Sequence, residues 1–576
     1  MIKKGISVSD GLGCAPAYLI YEPEAIVSSA LVNDTNEQLN KLEKALIEAE
    51  IEIRKSKEMA EGILEGDEVH IFDAHLAILR DDFFLNDVKK LINAGHYASY
   101  AYKEITKKYL DEIRKAESIY LQERSIDISD VYMKVMFYLD ALSRPQINVD
   151  KPVVLVCRDL TPSQTIGLNF NYVKAIVSEH GGKTSHAAII ARTLGIPSVA
   201  GVSINSINEG DLLLVDGRYG TVSINPSEDE LVEYAYFLDK IQTKEKRLER
   251  FKRRKTLTLD GHHVKLGANI SSHEEIKHVK HAEGVGLFRT EFLFMRDSKT
   301  PTLEEQILSY ETVLTSNKEQ LNVIRTLDIG GDKNLTYLPI KKELNPFLGQ
   351  RAIRLSLANK NIFKTQLKAL LMANKYSNLA IMLPMISTLD EILEAKELIK
   401  KVELELISEN QPINKYQLGI MVEVPIAAIG LEDLITEVDF VSIGSNDLIQ
   451  YLFAADRMNE EVAYLYQPFH PQLLKLIKHV VTVSHKYEKW VGVCGEMAGV
   501  KESALLLVGL GVDELSMGHN SILEIREMLS QVKYSDLAKF VNKVLKLKSN
   551  DEVLNKVEQY LAKISPKKSE INYNNK

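Results

Sequence analysis

Cysteine is scarce in this 576-residue sequence: Cys14, Cys157 and Cys494 are odd in number, far apart and without metal-ligand spacing. That excludes a disulfide framework or a cysteine-bound metal, and each is expected as a free thiol. Long hydrophobic runs are missing as well. No stretch approaches the ~20 apolar residues that cross a bilayer, and Met1 to Gly13 carries charge and glycine where a signal peptide needs a continuous apolar core. A cytoplasmic protein without membrane association is expected. The formal net charge of -9 offers no general surplus of cations to a phosphate backbone, which argues against a nucleic-acid partner. Proline is absent between Pro23 and Pro145, so helices there need not be broken.

What is present reads as a multidomain α/β protein. The length allows about three to four units, and 45% apolar with 26% charged residues is ordinary globular composition. Over 30–143, Leu39, Leu42, Leu46, Ala49 and Ile53 follow the three-and-four step of one buried helix face. A helical bundle is predicted there, since Gly62, Gly66 and Gly95 interrupt any single coiled coil. Residues 1–29 and 144–227 form the predicted α/β unit, with apolar runs at 153–156, 175–177, 212–215 and 222–224 as strands and a helix over 184–194. Residues 228–260 are a linker helix, helical to Lys255, whose crowded Lys and Arg side chains read as a solvated face. Over 261–545 eight apolar runs, 264–270, 284–288, 323–327, 379–383, 418–423, 440–444, 490–494 and 514–517, alternate with helical stretches and predict a C-terminal (β/α)8 barrel. A C-terminal helix and lysine-rich tail, 546–576, close the chain.

A barrel gathers the C-terminal ends of its strands on one face, where catalytic groups sit. Arg289 and Arg325 fall at the second and third strand ends, with Asp328 beyond. Glu423 ends the fifth strand, Asn446 and Asp447 follow the sixth, and Cys494 closes the seventh. Arg289, Arg325, Arg351 and Arg457 supply forks suited to phosphate and carboxylate. Glu423 and Asp447 in one pocket would repel each other unless a hard cation lay between them, and Mg2+ fits one or two carboxylates plus substrate oxygens. The same acids and arginines could instead pair as structural salt bridges at the rim.

A second candidate site lies in His180-Gly181-Gly182-Lys183-Thr184-Ser185-His186-Ala187-Ala188. It follows a strand and opens a helix, so glycines allow a tight turn and the free N–H groups of the first helical turn could cradle a phosphoryl group on His186.

These motifs resemble the enzyme I family of the phosphoenolpyruvate-dependent sugar phosphotransferase system, over nearly the whole chain. The resemblance rests on the run from Gly181 to Arg192 and on Gly286-Leu287-Phe288-Arg289-Thr290-Glu291-Phe292. Arg325-Thr326-Leu327-Asp328-Ile329-Gly330-Gly331-Asp332, Ser445-Asn446-Asp447-Leu448 and Val493-Cys494-Gly495-Glu496 carry it further. It implies an α/β phosphohistidine (swivelling) domain with His186 as the phosphohistidine, and Cys494 as proton donor. It implies phosphoenolpyruvate contacts from Arg289, Arg325, Asn446, Asp447 and Arg457, with Arg351 beside them, and Mg2+ ligation by Glu423 and Asp447. The phosphoryl group would pass to the histidine phosphocarrier protein HPr docked on the bundle, pyruvate would be released, and the barrels would join a homodimer. Ala187 departs from the family's usual Thr or Ser, leaving Thr165 and Thr184 as nearby hydroxyls. Asp10 and Gly518 depart too.

For the carrier surface, the acids Glu61, Glu65, Asp67, Glu68, Asp73, Asp81, Asp82 and Asp87 around apolar Phe72, Leu76 and Leu79 are expected to steer a basic partner, although a solvated helix face explains the charges equally well. Two other functions remain open on the residues alone. A dikinase or synthase acting on phosphoenolpyruvate and pyruvate would share the histidine unit and barrel, but needs a nucleotide-grasping domain that 1–150 does not resemble. A non-catalytic regulator would tolerate decay at the barrel mouth, where Arg289, Arg325, Glu423, Asp447 and Cys494 all remain.

Overall fold

The apolar stripe of the first long helix becomes a core as soon as other helices cover it. In the computed structural model α1 (Thr35–Ala60) is packed by α2 (Ile71–Leu79), α3 (Asp82–Asn93), α4 (Ala98–Arg114) and α5 (Ile119–Tyr138). Leu42, Leu46, Ala49 and Ile53 are fully buried beside Phe72, Leu79, Val88 and Val135. Phe72 and Leu79 are therefore core residues and not the apolar centre of a surface patch, which corrects the expectation above: helical spacing points them inward. The structure describes every residue but 21–26, 61–70, 115–118, 140–148, 159–167, 181–187, 189–190, 193, 296–298, 331–334, 336, 339–340, 342, 458, 460 and 565–576. His186, Thr165, Thr184 and Ala187 lie outside the described residues, as do Glu61, Glu65, Asp67 and Glu68.

Eight strands form one mixed sheet: β1 (Ile2–Lys4), β2 (Ile6–Ser9), β3 (Leu12–Ile20), β4 (Val153–Cys157), β5 (Val173–Ser178), β6 (Ser198–Ala200), β7 (Leu212–Asp216) and β8 (Thr221–Ile224). Their order is β1-β8-β7-β3-β4-β5-β6-β2, with β3 to β6 parallel. The chain start thus joins residues 153–224 in a single sheet. Central β4 is buried at every position. Val154 and Val156 enter the core on one face, Val153, Leu155 and Cys157 the core on the other, as the two-residue period of a doubly covered strand requires.

The helix α6 (Glu228–Leu248) buries no residue. It stops at Leu248, short of the predicted Lys255: a 3-10 turn, Glu249–Phe251, follows, and Arg253 takes a left-handed φ of 58° that a helix cannot accommodate. The chain divides into two compact units, Met1–Ile241 and Gln242–Lys576.

The second unit holds β9 (Lys265–Ile270), β10 (Val285–Arg289), β11 (Asn322–Arg325), β12 (Leu379–Leu383), β13 (Tyr416–Val422), β14 (Phe440–Ile443), β15 (Trp490–Val493) and β16 (Glu514–Met517). All are parallel, and β16 closes onto β9 in register Leu515↔Leu266. This is the predicted eight-stranded barrel, each strand within a few residues of its apolar run. Alternation sets its layers. Ala380 and Met382 point into the barrel with Met421, Phe440 and Cys494, while Leu379, Ile381 and Leu383 face the surrounding helices. Phe440 and Trp490 stack at 4.4 Å inside. Among the described residues no helix is long and apolar enough to cross a membrane.

Candidate active site

At the C-terminal mouth of the barrel lies a cavity of about 830 Å³ lined by Arg289, Arg325, Arg351, Glu423, Asn446, Asp447, Arg457 and Cys494. These eight and Asp328, the barrel residues singled out from the sequence, all meet there, although more than 200 positions separate the first from the last. Arg289 and Arg325 are the last residues of β10 and β11. Glu423 and Cys494 directly follow β13 and β15, and Asn446 and Asp447 open the helix Ser445–Phe453. His186 lies outside the described residues.

The arginines fall into two groups. Arg325 is held by carboxylates: Nη2 stands 2.6 Å from Glu291 Oε1 and Nη1 2.7 Å from Asp328 Oδ2. Burial works against its charge, but Asp328 and Glu291 outweigh it and hold the guanidinium protonated. For Arg325 the salt-bridge alternative is thus realised. Arg289 Nη2 donates instead to a hydroxyl, Ser271 Oγ, at 2.5 Å, and its Nε is buried without a partner, as is Arg325 Nε. Arg351 reaches Asp328 at 3.3 Å and leaves Nε and Nη1 buried and unsatisfied. Unmet buried donors are costly, on the order of 1–3 kcal/mol each, so Arg289 and Arg351 are poised for an anion's oxygens. Of the partners of Arg325, Asp328 was singled out from the sequence by its place beyond the third strand, whereas Glu291 was not; the signal was its place just beyond the second strand end.

Asn446 is clamped chiefly by Glu496, with the Tyr466 hydroxyl donating to its Oδ1 at 3.5 Å. Its Nδ2 donates to Glu496 Oε1 at 3.0 Å, and the Glu496 backbone N–H donates to its Oδ1 at 3.0 Å. Arg457 Nη1 stands 3.7 Å from the same Glu496 oxygen.

Among the described lining residues six carboxylates, Glu275, Glu291, Asp328, Glu423, Asp447 and Glu496, face four guanidinium groups. The excess falls on Glu423, which is almost wholly buried and accepts the Met385 N–H at 2.6 Å. Burial, then Asp447 and Asp328, raises its carboxyl well above the usual range. Gly444 leaves the space beside it open: a Cβ there would sit 2.9 Å from Glu423 Oε2. Two repelling carboxylates beside a gap suit a hard divalent cation. No group of three or more His, Cys, Asp or Glu suited to a metal exists among the described residues, so such a cation would draw its remaining ligands from substrate and water, as Mg2+ commonly does.

Cys494 is buried, and burial pushes its thiol up to about 11, Ser442 and Arg325 pulling the other way. It stays protonated at neutral pH, as a proton donor must.

On the bundle, three described acids of the expected docking patch are already engaged. Asp73 pairs with Lys57 at 2.8 Å, Asp87 with Lys90 at 2.8 Å, and Asp81 caps α3 by accepting the Phe84 N–H.

Comparison with known proteins matches residues 245–534 to the PEP-binding domain of PEP-utilising enzymes, 149–220 to their mobile domain and 4–124 to their N-terminal domain. Over 566 residues the chain is 41% identical to a phosphoenolpyruvate-protein phosphotransferase of Listeria monocytogenes, covering 97% of this chain and 99% of that one. The protein of the same name from Listeria innocua is 42% identical with the same coverage. That from Staphylococcus carnosus is 41% identical over 564 residues, 97% and 98% of the two chains.

Proposed function

The chain belongs to the phosphoenolpyruvate-protein phosphotransferase family, and we propose that it moves the phosphoryl group of phosphoenolpyruvate first to its own His186 and then to the phosphocarrier HPr. The observation that carries this reading is the convergence of Arg289, Arg351, Glu423, Asp447 and Cys494 on one cavity with unmet buried donors. Residues 1–29 and 144–227 are the phosphohistidine domain in this scheme, 30–143 the carrier-docking bundle, 228–260 the linker and 261–545 the substrate barrel. A homodimer through the barrels and a cytoplasmic location belong to the same proposal.

Arg289 and Arg351 take substrate oxygens with their unsatisfied N–H groups, and Arg325, fixed by Glu291 and Asp328, adds positive potential without moving. Asn446, locked by Glu496, and Arg457 present further donors that orient the substrate. Glu423 and Asp447 would hold Mg2+, which when bound neutralises charge on the substrate. The P–O bond to the enol oxygen breaks as a P–N bond forms to His186, leaving enolpyruvate. Its methylene carbon takes the Cys494 proton, a C–H bond replacing the S–H bond, and the thiolate regains a proton from water.

Incubation with labelled phosphoenolpyruvate and Mg2+ should give an acid-labile label mapping to His186 and absent from His186→Ala. Retained labelling in that variant would refute the assignment.

A further inference from the structure

Cys494 sits one residue beyond the last pair that ties β15 to β16, Val493↔Leu515. Toward β14 its peptide is still held, because the Cys494 N–H donates to Ile443 O at 3.1 Å. Among the described residues no backbone N–H donates to its carbonyl. The carbonyl is bonded instead from β9, two strands away around the barrel. Asn269 Nδ2 donates to Cys494 O at 3.2 Å and to Ser516 O at 3.3 Å, and Asn269 Oδ1 accepts the Ser516 hydroxyl at 2.5 Å. Gly286 on β10 makes room for that hydroxyl: a Cβ there would fall 2.2 Å from Ser516 Oγ. One carboxamide, with both its donor and its acceptor ends engaged, therefore ties the residue that ends the seventh strand to the eighth and the first.

We propose that Asn269 is a positioning residue for proton delivery, fixing the Cys494 backbone so that the thiol meets one face of the enolpyruvate methylene carbon; this rests on the role given to Cys494 above. The physical demand is strict. The methylene carbon is planar and can accept a proton from either side, and a displacement of about 1 Å in a reacting group costs on the order of a hundredfold in rate. A thiol on a strand end whose carbonyl were unheld could swing with its peptide. The Asn269 carboxamide, lining the same cavity as Cys494, removes that freedom without touching the phosphoryl group. Its loss should affect the proton step and spare the transfer step.

The test uses the full-length chain with Mg2+, the phosphocarrier HPr as phosphoryl acceptor and phosphoenolpyruvate deuterated at one C3 position, turned over in tritiated water. The chirality of the pyruvate methyl then records the face of protonation. Wild type should give a chiral methyl. Asn269→Ala should give a largely racemic one and form pyruvate at least about tenfold more slowly, with single-turnover labelling of His186 changed less than about twofold. If Asn269→Ala fails to fold, by circular dichroism, Ser516→Ala decides: it frees Asn269 Oδ1 and should lower the chirality in part. Full chirality in a folded Asn269→Ala, with labelling and pyruvate formation slowed in parallel, would overturn the proposal and leave Asn269 as a barrel closure. Full chirality in Ser516→Ala, were it the only folded variant, would do the same. A racemic methyl from wild type would overturn the acid role of Cys494 together with that of Asn269, whereas absence of His186 labelling in wild type would strike the phosphotransfer reading itself.

Discussion

Arg325 Nη1 stands 2.7 Å from Asp328 Oδ2, and the other oxygen of that carboxylate reaches Arg351 at 3.3 Å. Asp328 thus fixes two guanidinium groups at once, both almost completely buried. Asp328→Ala would leave these charges short of a partner, and removing one member of a buried pair costs about 3 kcal/mol or more. The barrel's unfolding midpoint in urea should fall accordingly, and His186 labelling should fall with it as Arg325 loses one of its two anchors. Asp328→Asn, which keeps an acceptor, should lose less. An unchanged midpoint in Asp328→Ala would show that the pair carries no net weight.

Glu423 makes the barrel sensitive to both pH and metal. Burial, then Asp447 and Asp328, raises its carboxyl well above 4.5, so the fold favours the protonated form. Stability from this group is full below about pH 4.5 and is lost as pH rises through the folded value. In chelator, Glu423→Gln should therefore melt higher than wild type at pH 8 and about equally at pH 4.5. Mg2+ should raise the wild-type melting temperature and leave the variant unmoved, while chelator abolishes His186 labelling. A variant less stable than wild type at pH 8 without metal would reverse the sign of this argument.

Legibility in the sequence followed the range of the interaction. The run Leu379–Leu383 reads as a buried strand because five consecutive apolar residues admit little else, and β12 has those bounds. Strand-end positions of Arg289, Glu423 and Cys494 followed from the barrel topology. Missed were β1, β2, β3 and β6. The three residues Ile2-Lys3-Lys4 are a strand only because β8 lies alongside, pairing Ile2 with Ser223, and no local pattern announces a partner some 200 residues away. The pairing of Arg325 with Glu291 was hidden for the same reason, as was the inward turn of Phe72 and Leu79, since a helix face shows its direction only once its neighbours are placed.

The Cys494 thiol, raised from 9.0 to about 11 by burial, should keep its proton far into alkali. The raised value means that the folded chain holds a proton the unfolded one releases, so this group's contribution to stability is intact below about pH 9 and is lost as pH rises through about 11. Alkylation by iodoacetamide, which needs the thiolate, should accelerate through pH 10 without levelling, and pyruvate formation should show no alkaline limb from this residue below that pH. A plateau near pH 9 would mean an ordinary, solvated thiol and would weaken its role as the acid.

The division of the chain at Ile241 and Gln242 sets where a barrel fragment must begin. Lys244 and Arg247, in the last turns of α6, pair with Glu524 and Glu527 of the helix His519–Leu529, the latter at 2.7 Å. From the same helix Arg526, almost completely buried, donates through Nε to Thr256 Oγ1 at 3.0 Å, through Nη1 to Phe251 O at 2.8 Å and through Nη2 to His281 O at 2.7 Å. A fragment starting at Gly261 would strip Arg526 of two of these three acceptors and leave donors of a buried cation unmet, each costing on the order of 1–3 kcal/mol. A fragment starting at Gln242 keeps them all. The longer fragment should unfold cooperatively and bind phosphoenolpyruvate with Mg2+ by calorimetry without becoming labelled, since His186 is absent. The fragment from Gly261 should unfold at several tenths molar lower urea or more; Arg526→Met should recover part of that loss in the fragment from Gly261 but destabilise the longer one, where the Thr256 and Phe251 acceptors would lose their donor. Equal midpoints for the two fragments would show that residues 242–260 ride on the barrel without supporting it.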